Sequence, residues 1–217
     1  MQYLKICGLK DPLHVRLCAE YGADAVGFIY NVPSSPRNLE KEELLNLLRE
    51  ISRNIFTVII FKPSDIGEIA KTMNEIDANF YQVHCDFNIR ELDRLPNKMR
   101  TKLIVAVKIN QDNKESVIRE IIHSFNQFYA FLLDNSEGHG SDLNFDLILE
   151  VIRRTYGSKI IIAGGIDINN IEFLIKNLKP FGIDVSSSLE SEKGVKDPIK
   201  IVKFLDKIQE VKESLQK

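Results

Sequence analysis

Two apolar rhythms alternate along this chain. Short runs of β-branched and aromatic residues occur at Tyr3–Cys7, Ala25–Tyr30, Phe56–Phe61, Phe80–His84, Lys102–Val107, Ala130–Leu133, Ile160–Ala163 and Gly182–Val185. They recur roughly every 20–30 residues, the length of one strand, loop and helix. Between them the apolar positions take a helical spacing. Leu13, Leu17, Cys18 and Tyr21 share one face, as do Leu44, Leu47, Leu48 and Ile51. Val117, Ile118, Ile121 and Ile122, then Ile171, Leu174, Ile175 and Leu178, and finally Val202, Leu205 and Ile208 repeat the stripe. Asp11-Pro12 and Asp197-Pro198 read as helix starts, and Gly22 as a helix stop. Eight such units, with no Pro-, Gly- or Ser-rich divider, predict one α/β domain over residues 1–217, a (β/α)₈ TIM barrel. An open doubly wound sheet competes. It would have fewer strands and a G-x-G-x-x-G loop after the first, where this chain has Cys7-Gly8-Leu9-Lys10.

Composition narrows the partners. Lys+Arg 29 against Asp+Glu 31 leaves a net charge of −2, so no basic excess exists to hold a phosphate backbone and nucleic acid is not expected. No apolar run approaches the ~18–20 residues that span a bilayer, and Met1–Asp11 lacks the pattern of a secretory signal. Cys7, Cys18 and Cys85 are odd in number and irregular in spacing, which argues against a disulfide framework and fits a cytoplasmic protein. No two histidines have metal-ligand spacing, so no metal is expected. His14 and His123 lie on helices, and His139 has no evident partner. Monomer and homodimer both remain open.

Barrel enzymes work at the C-terminal strand ends. Cys7, Arg37, His84, Asp134, Gly164-Gly165 and the run Asp184-Val185-Ser186-Ser187-Ser188 fall there. Lys5 and Cys7 are two apart and share a strand face, so if Leu4 and Ile6 pack outward, both point into the barrel. A neighbouring ammonium would favour a thiolate at Cys7. Cys7 reads equally as a small buried hydrophobe. Ala130, Leu132 and Asp134 share a face too, and a carboxylate ending an apolar strand is costly unless it works or is paired. Gly164-Gly165 after strand seven and the serine run after strand eight fit an oxyanion cradle for a phosphorylated small molecule, or two tight turns. Arg37 could fork onto a carboxylate or simply be solvated, and His84 could line the mouth or sit in the interior. The loop Asn135–Asn144, with Gly138 and Gly140, is long enough to cover a substrate.

The stretches Lys5-Ile6-Cys7-Gly8-Leu9, Gly22-Ala23-Asp24-Ala25-Val26-Gly27-Phe28-Ile29-Tyr30 and Ser35-Pro36-Arg37 together form a specific signature. Gln82-Val83-His84, Leu133-Asp134-Asn135, Ala163-Gly164-Gly165-Ile166 and Asp184-Val185-Ser186-Ser187 follow in order. In these the chain resembles the phosphoribosylanthranilate isomerase family of tryptophan biosynthesis over nearly its full length. The resemblance implies a cofactor-free Amadori rearrangement, with Cys7 as general base and Asp134 as general acid. It implies Arg37 as the contact for the anthranilate carboxylate, and Gly164, Gly165 and Ser186–Ser188 as the phosphate site, with His84 and Asp184 also on the substrate. Ser188 and Cys85 stand where the family usually has glycine, and Leu147 replaces an aromatic. A histidine-pathway isomerase is the alternative enzyme, though its family uses an aspartate base on strand one. A barrel that only binds an anionic ligand is the alternative outside enzymes.

Overall fold

Alternating side chains on eight short strands produce a closed cylinder in the computed structural model, which describes residues 1–51, 54–134 and 144–215. The strands are β1 Tyr3–Cys7, β2 Ala25–Tyr30, β3 Phe56–Phe61 and β4 Phe80–Val83, then β5 Leu103–Lys108, β6 Ala130–Asp134, β7 Ile160–Ala163 and β8 Gly182–Val185. All neighbours pair in parallel, and β1 pairs with both β2 and β8, which closes the sheet and removes its edges. The expected barrel is therefore present, and strand ends move by one residue at β4, β5 and β6. A two-residue strand, Asn38–Leu39, extends the rim of β2, and Glu190–Glu192 pairs with Val195–Lys196 in a hairpin beyond β8.

Helices wrap the outside: α1 Pro12–Glu20, α2 Lys41–Glu50, α3 Ile66–Glu75, α4 Asn97–Arg100, α5 Lys114–His123, α6 Phe145–Arg154, α7 Ile171–Phe173 and α8 Pro198–Ser214. Asp11 and Asp197 cap as their position suggests. Asp11 accepts from the Leu13 N–H, and Asp197 from the N–H groups of Ile199 and Lys200. The buried face of α1 is Val15 and Cys18, whereas Leu13 and Tyr21 sit at its two ends and are exposed. Ile122 of α5 is exposed as well. The unit after β4 departs from the eightfold pattern. A 3₁₀ segment, Ile89–Arg94, leads to the single turn α4, because Pro96 cannot sit inside a continuous helix. α7 runs on as a π-helical turn, Leu174–Leu178, with all four apolar stripe residues buried.

The strand period of two divides the core. Leu4 and Ile6 face the helices, while Tyr3, Lys5 and Cys7 face the axis. At the N-terminal end the axis is filled by aromatic rings. Tyr129 stacks on Phe80 with centroids 3.9 Å apart, and Tyr3 stacks on Phe181 at 6.1 Å. Phe56 meets Phe80 edge-on, and the Lys159 ammonium lies 4.7 Å from the Tyr129 ring centroid. This apolar plug shuts one end of the cylinder, so polar groups on the axis can reach ligand only at the C-terminal mouth.

Candidate functional site

Lys5 sits at mid-barrel with no exposed surface. Its ammonium donates to Asp184 Oδ2 at 2.8 Å, which joins β1 to β8. An unpaired ammonium there would be costly, so the pair fixes both side chains. Gly27 makes room for it: a Cβ at that position would lie 3.1 Å from Lys5 Nζ and 3.3 Å from the Cys7 Cα. Cys7 is the next inward residue, at the rim and 7% exposed. Lys5 pulls the Cys7 thiol toward the thiolate as expected, but it does not set the net direction. Burial pushes the Cys7 thiol above its ordinary value, and the opposing pull of Lys5 is offset by Asp184, which already holds that ammonium. Asp184 serves as the counter-ion of Lys5 through Oδ2, while its buried Oδ1 has no hydrogen-bond partner among the described residues.

The opposite wall is built by β4, β5 and β6. Asp134 ends β6 on the inward register, opposite Lys108 of β5 in the backbone ladder. His84 follows β4, and its Nε2 shares a hydrogen bond with the Gln82 side-chain amide 3.0 Å away. Burial lowers the His84 pKa more than neighbouring Asp134 raises it, so the ring is neutral near pH 7. Asp134, His84, Lys108, Ile29 and Ala106 line a cavity of 770 Å³ that spreads under the loops after β3, β4 and β5. Cys85 is on its wall as well, its thiol pushed up to about 12 by burial. The cavity holds the Asp134 side of the mouth. Cys7, Arg37, Gly164, Gly165 and the serines are not among the described residues that line it.

At the β7 and β8 ends, where an oxyanion cradle is expected, two of the three serine hydroxyls bond within the chain. Gly164 and Gly165 take φ of 84° and 64°, left-handed values that favour glycine. The serine run forms the one-turn 3₁₀ helix Ser187–Leu189. Ser188 Oγ donates to the Ile166 carbonyl at 2.6 Å, and Ser186 Oγ donates to the Cys7 carbonyl at 3.1 Å. Those two hydroxyls fasten loops rather than facing an anion, so what remains for an oxyanion is main-chain N–H and Ser187. The expected loop cover, residues 135–143 with His139, lies outside the described residues.

Arg37 also departs from expectation. Its fork is already closed on a carboxylate of this chain, with Nε donating to Glu190 Oε1 at 2.5 Å and Nη2 to Oε2 at 2.8 Å. Glu190 and its other partner, Lys196 at 2.7 Å, are both buried. The residue is thus not freely solvated, and one edge of its guanidinium is occupied, while Nη1 makes no hydrogen bond to the described residues. Lys108, Glu190 and Lys196 are the polar mouth residues missed from sequence. Lys108 had a readable signal, its inward parity with Ala106. Glu190 and Lys196 lie in an irregular hairpin with no periodicity to interpret.

The comparisons agree with this geometry. The model of the family described as N-(5'phosphoribosyl)anthranilate (PRA) isomerase matches residues 4–207. A relative from a Sulfurihydrogenibium species, named N-(5'-phosphoribosyl)anthranilate isomerase, is 32% identical over 94% of this chain and 97% of its own. The solved phosphoribosyl anthranilate isomerase of Thermotoga maritima superposes with a TM-score of 0.81 at 27% identity, over 97% of this chain and 100% of that one. Another, solved with reduced 1-(o-carboxyphenylamino)-1-deoxyribulose 5-phosphate, gives a TM-score of 0.79 at 26% identity and the same coverage. A matching family model over nearly the whole length, with a closed barrel bearing Cys7 and Asp134 at its mouth, means that the chain belongs to the PRA isomerase family.

Proposed function

We propose that this chain rearranges N-(5-phosphoribosyl)anthranilate to carboxyphenylaminodeoxyribulose phosphate in tryptophan biosynthesis, with Cys7 as base and Asp134 as acid and no cofactor. The observation that carries the assignment is the inward register of both residues at the rims of β1 and β6, which stand three strands apart around the closed sheet. A sugar held at the mouth can then be met from two sides.

Ring opening needs a proton on the furanose oxygen, and Asp134 supplies it. The Schiff base that forms withdraws electrons from the adjacent C2, so the C2 proton becomes acidic. Cys7 removes that proton, and its electron pair moves into the C1–C2 bond to give an enolamine. Tautomerisation of the enolamine yields the aminoketose. Substrate and product are isomers, so the atoms balance with no external reductant. Each positioned proton transfer contributes ~10²–10⁴ in rate. The raised Cys7 pKa makes the thiolate scarcer and also more basic, which suits abstraction of a carbon-bound proton. Gly164, Gly165 and Ser187 hold the phosphate end and Arg37 the carboxylate end, which fixes the sugar between acid and base.

The test is a spectroscopic assay on freshly made phosphoribosylanthranilate. Wild type should turn over, and Cys7→Ser and Asp134→Asn should each lose ~10²–10⁴ in kcat with an unchanged melting curve. Saturable binding without product in wild type would sink the assignment, and wild-type rates in either variant would remove that residue's role.

A further inference from the structure

Four donors converge on the Glu190 carboxylate. Oε1 accepts from Arg37 Nε and Lys196 Nζ; Oε2 accepts from Arg37 Nη2 at 2.8 Å and the Gly194 N–H at 3.0 Å. Both Glu190 and Lys196 are buried, and the hydrogen bonds outweigh the effect of burial to hold the Glu190 carboxyl down at about 2. Lys196 in turn donates to the Ser186 carbonyl at 3.0 Å, and Ser186 Oγ donates to the Cys7 carbonyl. The Arg37 stem crosses the rim immediately beside the base, since a Cβ on Gly8 would come within 2.4 Å of Arg37 Cδ.

A guanidinium has two usable edges. The Nε/Nη2 edge is closed on Glu190, while Nη1 makes no hydrogen bond to the described residues, so the Nη1/Nη2 edge can take a second carboxylate. Charge favours the same outcome. Two cations and one anion leave the Arg37–Glu190–Lys196 cluster with one net positive charge. Without Lys196, Glu190 would neutralise the arginine and repel an incoming carboxylate.

We propose that Glu190, itself held by Lys196, is a positioning residue that sets the outer edge of Arg37 for the substrate's carboxylate. This rests on the isomerase assignment above. The competing role is structural, a tie between the hairpin after β8 and the Ser35–Arg37 turn.

Ligand truncation separates the two. Wild type, Glu190→Gln and Glu190→Asp are compared by kinetics and by calorimetry with two inhibitors: reduced carboxyphenylaminodeoxyribulose phosphate and its phenylamino counterpart lacking the carboxylate. Gln places an amide N–H against a donor and breaks the fork; Asp keeps the charge and withdraws it by one methylene. In both variants KM should rise about tenfold or more, as expected for one charge-assisted bidentate contact, while kcat changes less than about threefold. The carboxylated inhibitor should weaken by the same factor and the truncated one by less than about twofold. If Glu190→Gln does not fold, Glu190→Asp carries the comparison alone. Equal weakening of both inhibitors, or unchanged affinity for the carboxylated one, overturns the proposal. Absence of turnover in wild type would instead strike the isomerase assignment, so the two failures are distinct.

Discussion

Asp184→Asn isolates the electrostatics at the centre of the barrel. The substitution keeps the shape and leaves an amide oxygen for Lys5, but removes the negative charge 2.8 Å from a fully buried ammonium. Removing one partner of a buried pair costs ~3–5 kcal/mol, and the retained acceptor puts this case at the lower end, about 3 kcal/mol. With a urea slope of ~2–3 kcal/mol/M, the unfolding midpoint should fall by about 1–1.5 M. The pH dependence supplies a second signature. In wild type, Asp184 and Cys7 raise the Lys5 pKa against the effect of burial, so the Lys5 contribution is complete below the ordinary lysine value and is lost only above it. Raised Cys7 contributes below 9.0 and loses that contribution as pH climbs past it. Wild type should therefore be flat in these two groups from about pH 6 to about 8.5. In the variant, desolvation of Lys5 goes largely unopposed and its folded pKa drops below the unfolded value. The unfolded state then binds more protons, so variant stability should climb with pH over that same interval. Circular dichroism during urea titration at three pH values reads both effects. A midpoint shift under ~0.3 M with no pH trend would refute the claim that Asp184 is what permits Lys5 to be buried.

Three further outcomes follow from the same geometry. Because burial raises the Cys7 thiol, log kcat/KM should still be rising at pH 9.0, and a plateau already reached near about pH 7 would show a thiolate stabilised by Lys5 after all. Gly27→Ala would push a methyl to 2.8 Å from Ile60 Cδ1 and against the Lys5 and Cys7 positions, so a loss of ~1–3 kcal/mol together with reduced kcat is expected from thermal melting and kinetics. Ser188→Gly removes the hydroxyl bonded to the Ile166 carbonyl and should lower stability by ~1–2 kcal/mol while leaving KM within about twofold; a tenfold rise in KM would mean that the hydroxyl faces the phosphate instead.

Much of this site is written in local parity. Tyr3, Lys5 and Cys7 alternate with Leu4 and Ile6, and Ala130, Leu132 and Asp134 alternate with Phe131 and Leu133, so the inward set of each strand can be read directly once the sheet is known to close. Helices α3 and α6 are absent from the sequence reading although both carried a signal: Ile69 in one and Leu147, Ile148 and Val151 in the other form the buried stripe, and Asp65 and Asn144 cap them by accepting from the N–H groups of Glu68 and Leu147. Parity says which way Lys5 points and nothing about its partner. The same holds for Arg37, whose Ser-Pro-Arg turn suggests an open fork until the hairpin after β8 arrives to fill one edge. Charge state was the least accessible property. A lysine two residues from a cysteine suggests a thiolate, but Asp184 redirects that ammonium and burial decides the direction.

The chain separations involved explain why these errors fall together. Lys5 and Asp184 are 179 residues apart, as are Cys7 and Ser186, and Arg37 and Glu190 are 153 apart. Each contact joins the first strand–loop units to the last, across the seam where β8 meets β1. Until that seam closes, Lys5 has no counter-ion, Ser186 has no hold on the Cys7 carbonyl and Arg37 has no Glu190 to hold its inner edge. The ionic groups at the mouth are thus also the latch of the cylinder. A chain that failed to close the β1–β8 ladder would lose the surroundings of Cys7 and the hold on Arg37 in the same event. On the proposed binding mode, with the phosphate end beside β7 and β8 and the carboxylate on an arginine that β8's own hairpin keeps in place, substrate should protect the amides of β1 and β8 from hydrogen exchange more than those of the other strands, and equal protection all round the barrel would refute that binding mode.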